Sequence, residues 1–552
     1  MKKVELQQIF FILYRLIKNT TDRMRPEKVK VDFNEKSFYY SLLLFVIVIP
    51  FSEAFVSIAA AALLVQSLLF YTWRKSKNLY PEKASALFLF GIFLIYLLGL
   101  IQTNDWSLSI YQLKKVAFWI VIPLAFILSP KLSEKQFFNI LIGFCIAVFI
   151  ASLLAIVRLV FKSALHITDF RDISFISHIR FSYQVALAIF CTFFLIHQNI
   201  SKKKSAVVLT LLLLWFVFFI VVLKSITGII SLVGAASFFI LYYLLSGRRK
   251  LKYFLFVLLV GALFFSVTYI KSVWDNFYTI EKLNPDRVDK HTQSGNPYTF
   301  KFDSFEKENG NWVNSYVCDD ELREEWNKRS ECKFDSLDER GFTYQSTLIR
   351  YLTSKGLRKD SVGVNNLTDK DVKAIEQGYA NYIYIDKKFS LYPRIYETLW
   401  EYDRYKATGD PNGQSLSQRI EFFKASLEII KNNFWFGIGT GNWKEEYANT
   451  YEFLNSNLSP ENQRSSHNQY LNYMVKFGLI GFLIIISFLL IPVFREGHQS
   501  NLLFWLFLVF MGIANLGDAN FESHMGLSFF SFFYCLFLWN SPELIRNFKF
   551  QK

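Results

Sequence analysis

The sequence predicts an all-α polytopic membrane protein of about twelve transmembrane helices, with one large, mainly helical domain inserted between spans nine and ten. Three observations predict it. The 552 residues are 52% hydrophobic, with 60 Phe, 29 Tyr and 12 Trp, and the apolar residues run in blocks near the roughly 20 that a helix needs to cross a bilayer. Positive charge alternates between successive loops, as the positive-inside rule requires. One long polar stretch, 271–469, interrupts the apolar blocks.

Residues 1–37 form a cytoplasmic segment with nine Lys/Arg. Its apolar patch "IFFILYRLI" (9–17) is short and broken by Arg15, which argues against a cleavable signal and for a basic amphipathic helix lying on the inner membrane surface. Spans one to nine are expected within 38–270, near 38–51, 54–72, 85–102, 116–129, 137–157, 179–197, 205–222, 226–245 and 251–270. Spans ten to twelve are expected within 470–540, near 470–493, 501–517 and 525–540, followed by a cytoplasmic tail, 541–552. "WRKSK" (73–77), "SKKKS" (201–205) and "GRRKLK" (247–252) mark cytoplasmic loops, whereas the loops near 50–53 and 223–225 carry almost no positive charge. Both termini then lie in the cytoplasm, and an odd number of spans would break the alternation.

This topology puts 271–469 outside. Between 275 and 467 there are 26 Lys/Arg and 31 Asp/Glu, a net of −5 in a chain of +15. The excess positive charge therefore belongs to the cytoplasmic rim and gives no reason to expect nucleic acid. Cys145, Cys191 and Cys535 fall within spans as apolar packing, while Cys318 and Cys332 lie outside, where an oxidising compartment would permit a disulfide. No C-x-x-C or histidine cluster suggests a metal.

Within the domain, 275–345 reads as solvated helix or loop, and Thr368 with Asp371 forms a capping box for a helix through Gln377. "RIYETLWEYDRY" has aromatic residues at helical spacing; they suit the domain's own core, and also a membrane surface or a sugar ring. Ser415 with Gln418 predicts the next helix start, and Ile420, Phe423, Leu427 and Ile430 predict its buried face, ending near Asn432–Asn433. Arg419 then sits near a helix N-terminus, where free N–H groups and a guanidinium suit a phosphate, although the spacing equally fits a local surface salt bridge. "GIGTGNW" (437–443) has no preceding strand and no following Lys-Ser/Thr, and reads as a tight turn.

Polar residues also gather where spans begin. "SHIRFSYQ" opens span six with His178 and Arg180, where an arginine can snorkel to the interface or meet a lipid head group. Lys224, Lys271 and Lys476 raise the same question and equally fit ordinary flanking charges. "SSHNQYLNYMVKFGLIGFL" (465–483) places His467 and Asn468 one turn ahead of span ten. An imidazole there is either structural or able to take a proton from a hydroxyl at neutral pH.

Together, the Arg419 helix, "NNFWFGIGTGNW", "SSHNQYL" and "KFGLIGFL" resemble the O-antigen ligase and polymerase superfamily of bacterial membrane glycosyltransferases, and "HIRFSYQ" is similar to its arginine-bearing span start. The block from about 280 to 410 departs from the compact loops of many members. The resemblance implies a multi-pass inner-membrane enzyme whose large domain and active site face the periplasm. It implies transfer of a glycan from undecaprenyl pyrophosphate to an acceptor hydroxyl, with inversion and without metal or other cofactor. Arg180 and Arg419 would bind the pyrophosphate and His467 would deprotonate or orient the acceptor, with His178, Asn468 and Lys224 as supporting candidates. The preferred acceptor is lipid A–core, making a ligase; a polymerase joining lipid-linked repeat units and a protein O-oligosaccharyltransferase share the chemistry. From another class, a polysaccharide transporter or flippase would require related halves and polar groups at midplane, and no internal repeat is visible.

Overall fold

The computed structural model describes residues 33–73, 84–161, 170–198, 203–246, 249–280, 284, 288–301, 306–338, 341–387 and 390–546. The interfacial helix expected at 9–17 lies outside them. A helix occupies each stretch expected to span. The first ten are α1 (Phe33–Val48), α2 (Glu53–Trp73), α3 (Ala86–Leu98), α4 (Trp106–Val116), α5 (Phe118–Leu128), α6 (Glu134–Val160), α7 (His178–Gln198), α8 (Lys203–Val222), α9 (Ile226–Ser246) and α10 (Arg249–Tyr278). The extramembrane domain contributes α11 (Asp319–Arg329), α12 (Tyr344–Ser354), α13 (Ser361–Asn365), α14 (Asp369–Glu376), α15 (Ile383–Asp386), α16 (Tyr392–Thr408), α17 (Ser415–Asn432) and α18 (Trp443–Phe453). Then come α19 (Gln469–Arg495), α20 (Leu502–Gly517), α21 (His524–Asn540) and α22 (Glu543–Arg546). The protein is thus an all-α polytopic membrane protein. Among the described residues, seven helical stretches are long and apolar enough to cross a membrane, with α4 and α5 together forming one of them.

The helix α21 sits at the centre. Every residue from Met525 to Asn540 is buried, as expected of a helix apolar on all sides. Phe532 stacks on Phe45 of α1 at 4.4 Å, and Phe533 meets Phe144 of α6 at 4.8 Å. The peripheral extreme is α10, whose apolar stretch is only 6% buried; its far end instead holds the extramembrane domain through Val273, Phe277, Ile383, Tyr392 and Tyr396.

That domain is mainly helical, with one two-stranded hairpin the sequence did not suggest: β1 (Lys307–Glu308) pairs antiparallel with β2 (Asn311–Trp312). The connecting Asn309–Gly310 takes positive φ at both positions (49° and 85°), the backbone twist that two-residue hairpins favour. The hairpin aims Glu308 inward, where Arg350 Nε (2.8 Å), Asn381 Nδ2 (2.7 Å) and the Tyr396 hydroxyl (3.2 Å) satisfy it. The Thr368–Asp371 capping box is present, and α14 runs to Glu376 with Gln377 as its C-cap.

Cys318 and Cys332, which flank α11, are free thiols. One expectation is corrected. The N-cap of α17 is Gln414 rather than Ser415, and its buried face is Phe422, Ala425, Ser426, Ile429 and Ile430, leaving Phe423 and Leu427 exposed. A carboxylate from α16 does the capping, since Leu416 N–H donates to Glu401 Oε2 at 2.8 Å.

Candidate functional site

The site is organised around a break in α19. At Gly478 the backbone leaves the helix (φ 62°, ψ −170°), so the carbonyls of Val475 and Lys476 lose the partners a continuous helix would supply from 479 and 480. The "FWFGIG" loop replaces them. Ile438 N–H donates to Val475 O (3.0 Å) and Gly439 N–H to Lys476 O (2.9 Å), while Leu479 N–H donates to Phe434 O (2.8 Å) and Ile480 N–H to Trp435 O (3.3 Å). The turn read from "GIGTGNW" is therefore present, and it splints the broken helix. A Cβ on Gly437 would stand 2.4 Å from the Lys476 carbonyl carbon, which explains glycine there.

The half-helix ahead of the break carries Lys476, and the bend just before it His467, to one cavity of about 380 Å³, lined also by Arg180, Glu53, Asp518 and Glu522. Arg180, Lys476 and His467 each have an acidic partner. Arg180, in the first turn of α7, donates Nη1 to Glu53 Oε1 at the start of α2 (2.8 Å). Its Nε is buried and has no hydrogen-bond partner among the described residues. Lys476 Nζ lies 2.7 Å from Glu522 Oε2, both side chains being nearly enclosed (5% and 12% exposed). The Tyr96 hydroxyl donates to the other oxygen of Glu522 at 2.8 Å. Lys476 is thus part of the cavity wall, not the flanking charge that the sequence also allowed.

His467 is held between a ring and a carboxylate. Its φ is +48°, a left-handed backbone uncommon outside glycine and frequent at functional positions. Its ring stacks on Phe422 of α17 (5.6 Å, 26°), and Nδ1 lies 3.3 Å from Asp518 Oδ1, just after α20. Burial works against the charge of Asp518, but His467, Arg180 and the Ala519 N–H favour it, and the carboxyl is held below its ordinary range. A carboxylate facing Nδ1 makes that nitrogen the donor and leaves the lone pair on Nε2.

The other sequence candidates fall around this centre. Asn468 caps α19, accepting from the Tyr470 and Leu471 N–H groups (2.9 and 3.1 Å), and donates Nδ2 to Leu516 O (3.1 Å), so it braces the histidine against α20. Arg419 stands one turn before Phe422 on α17; it is half-buried, makes no hydrogen bond or ion pair among the described residues, and reaches the Tyr183 hydroxyl electrostatically, as Arg180 does. It is not in the wall of the cavity itself. His178 lines a neighbouring hollow of about 680 Å³ that shares Glu53. Lys224 lies at the turn between α8 and α9 with φ 51° and lines neither cavity, although its neighbour Ser225 accepts from the Ser182 hydroxyl (3.0 Å) in the Arg180 helix. Sequence reasoning missed Glu53, Asp518 and Glu522, because a single acid at a span end reads as an ordinary boundary charge.

Residues 375–486 match the family model described as O-antigen ligase. That stretch contains Arg419, His467, Lys476 and the break at Gly478, while Arg180 and Asp518 lie outside it. No curated protein matches the chain. The match, on a multi-pass helical body, supports placing this protein in the O-antigen ligase superfamily.

Proposed function

We propose that the protein is an O-antigen ligase-like glycosyltransferase, moving a glycan from undecaprenyl pyrophosphate to a hydroxyl of lipid A–core on the periplasmic face of the inner membrane. The observation that carries the reading is the meeting of His467, backed by Asp518, with Arg180 in one cavity. In this reading the acceptor hydroxyl approaches Nε2, which takes its proton as the oxygen attacks the anomeric carbon. Inversion follows from that direct displacement. The carbon–oxygen bond to the diphosphate breaks on the opposite face, and charge builds on the departing oxygens. Arg180, whose Nε has no partner among the described residues, and Arg419, unpaired among them, would receive that charge as fixed guanidinium donors, without a proton transfer or a metal.

The test uses reconstituted full-length protein given lipid-linked glycan and lipid A–core. His467→Ala is expected to lower kcat by about two to four orders of magnitude, the usual scale of a general base. Arg180→Ala and Arg419→Ala are expected to weaken donor use, all at unchanged protein level. Activity retained in His467→Ala would remove the proposal. Loss of the gene distinguishes the related reaction: a ligase mutant accumulates long lipid-linked polymer and lacks capped lipopolysaccharide. Core bearing one repeat unit would indicate a polymerase instead.

A further inference from the structure

The same cavity has a second wall of different chemistry. It is built by Tyr111 and Gln112 of α4 and by Trp443, the first residue of α18. Gln112, in the amide orientation its neighbours dictate, donates to Glu522 Oε2 and accepts from Trp443 Nε1, both at 3.2 Å. Trp443 is fixed relative to α4 through its neighbour: Asn442 Oδ1 accepts from Asn104 N–H (2.8 Å) and Asn442 Nδ2 donates to Gln102 O (2.6 Å). Lys115 Nζ lies 4.2 Å from the Tyr111 ring centroid, yet Tyr111 remains 52% exposed. With Glu522 neutralised by Lys476, this wall offers ring faces, hydrogen-bonding groups and the Lys115 ammonium where the histidine end offers ion pairs. An aromatic lining with a few fixed polar groups, in a volume of this size, is the usual make-up of an organic ligand pocket.

We propose that Tyr111, Gln112 and Trp443 form a carbohydrate subsite that takes one pyranose ring. The C–H face of the ring lies against the electron-rich aromatic faces, and its hydroxyls bond to the Gln112 amide and the Glu522 carboxylate. The proposal rests on the glycosyl-transfer reading of the cavity and adds where the sugar is read. The ring is either the donor's first sugar or the acceptor's terminal one, and the recognition chemistry is shared.

The experiment uses full-length protein in lipid nanodiscs: wild type, Tyr111→Ala, Trp443→Ala and Trp443→Phe. Binding is measured for undecaprenyl pyrophosphate without sugar and for the glycan-bearing lipid, and initial rates are measured against acceptor concentration. Both alanine variants are expected to lose roughly five- to tenfold in affinity for the glycan-bearing lipid, which assigns the donor sugar, or in acceptor KM, which assigns the acceptor. Sugar-free lipid binding should be unchanged, and Trp443→Phe should keep most of the function. Unchanged glycan affinity and acceptor KM in Tyr111→Ala, an exposed position unlike Trp443, would overturn the proposal. So would an equal loss for the sugar-free lipid. If wild type transfers no glycan, the proposed function fails, while the binding comparison still decides whether the subsite exists.

Discussion

At the scale of single residues, the site depends on charges that burial would ordinarily forbid. Lys476 and Glu522 are enclosed together, and removing one partner of such a pair commonly costs about 3–5 kcal/mol because the other is left unpaired. Asp518 is held ionised by His467 and Arg180 against its burial. A carboxylate with a depressed folded pKa contributes stability above its unfolded value, near 3.9 for Asp, and loses it as pH falls through the lower folded value. Asp518→Asn is therefore expected to lower the melting temperature of the detergent-solubilised chain near neutral pH, with the gap closing as pH falls below about 4. A gap that widens toward acid would show that His467 does not hold the carboxylate ionised.

At the scale of elements, the broken helix and its splint form one unit. A Cβ on Gly478 would lie 2.3 Å from the Trp435 carbonyl, in a left-handed conformation as well. Gly478→Ala is expected to cost more than the roughly 1–2 kcal/mol of left-handed strain alone and to reduce transfer by displacing Lys476 and the "FWFGIG" loop. Thermal melting and rate measurements on the variant check both. In the extramembrane domain, Glu321 accepts from Thr292 (2.5 Å), Asn296 (2.8 Å) and the Ser361 hydroxyl (2.7 Å). Burial raises its pKa, but those bonds outweigh it and push the carboxyl down to about 2. The domain should thus keep this contribution above about pH 4.3 and lose it toward pH 2, which a comparison of acid unfolding in wild type and Glu321→Gln would register. Cys318, Cys332 and the three cysteines of the bundle are all free, so alkylation of the unfolded, unreduced chain is expected to modify all five thiols. Three modified thiols would mean that a disulfide forms.

For the whole molecule, the expectation is twelve crossings with both termini in the cytoplasm and 271–469 outside. Among the described residues seven helical stretches meet the length for crossing, and the shorter ones, such as α3 and α20, still pack into the same bundle. Reporter fusions after Lys204, Gly295, Ser456 and Glu543 test the arrangement: Gly295 and Ser456 should report the periplasm, and Lys204 and Glu543 the cytoplasm. The insertion stands on the far end of α10 and is joined to α17 through α16. Its position therefore follows from two helices that the bundle itself supports.

The sequence by itself determined the all-helical membrane body, because long apolar blocks and alternating loop charge have few other physical solutions. It also pointed to Arg180 and His467, since a charge beside a membrane span stands out against its surroundings. Register was less legible: in α17 the apolar residues at 420, 423, 427 and 430 suggested one buried face, and contact with α18 and α19 selected another. Only the tertiary structure decided what the charges face. Glu53 meets Arg180 across 127 residues, Asp518 meets His467 across 51, and Glu522 meets Lys476 across 46. Local periodicity carries no record of such pairs, because each is made by two separate helices converging on one cavity.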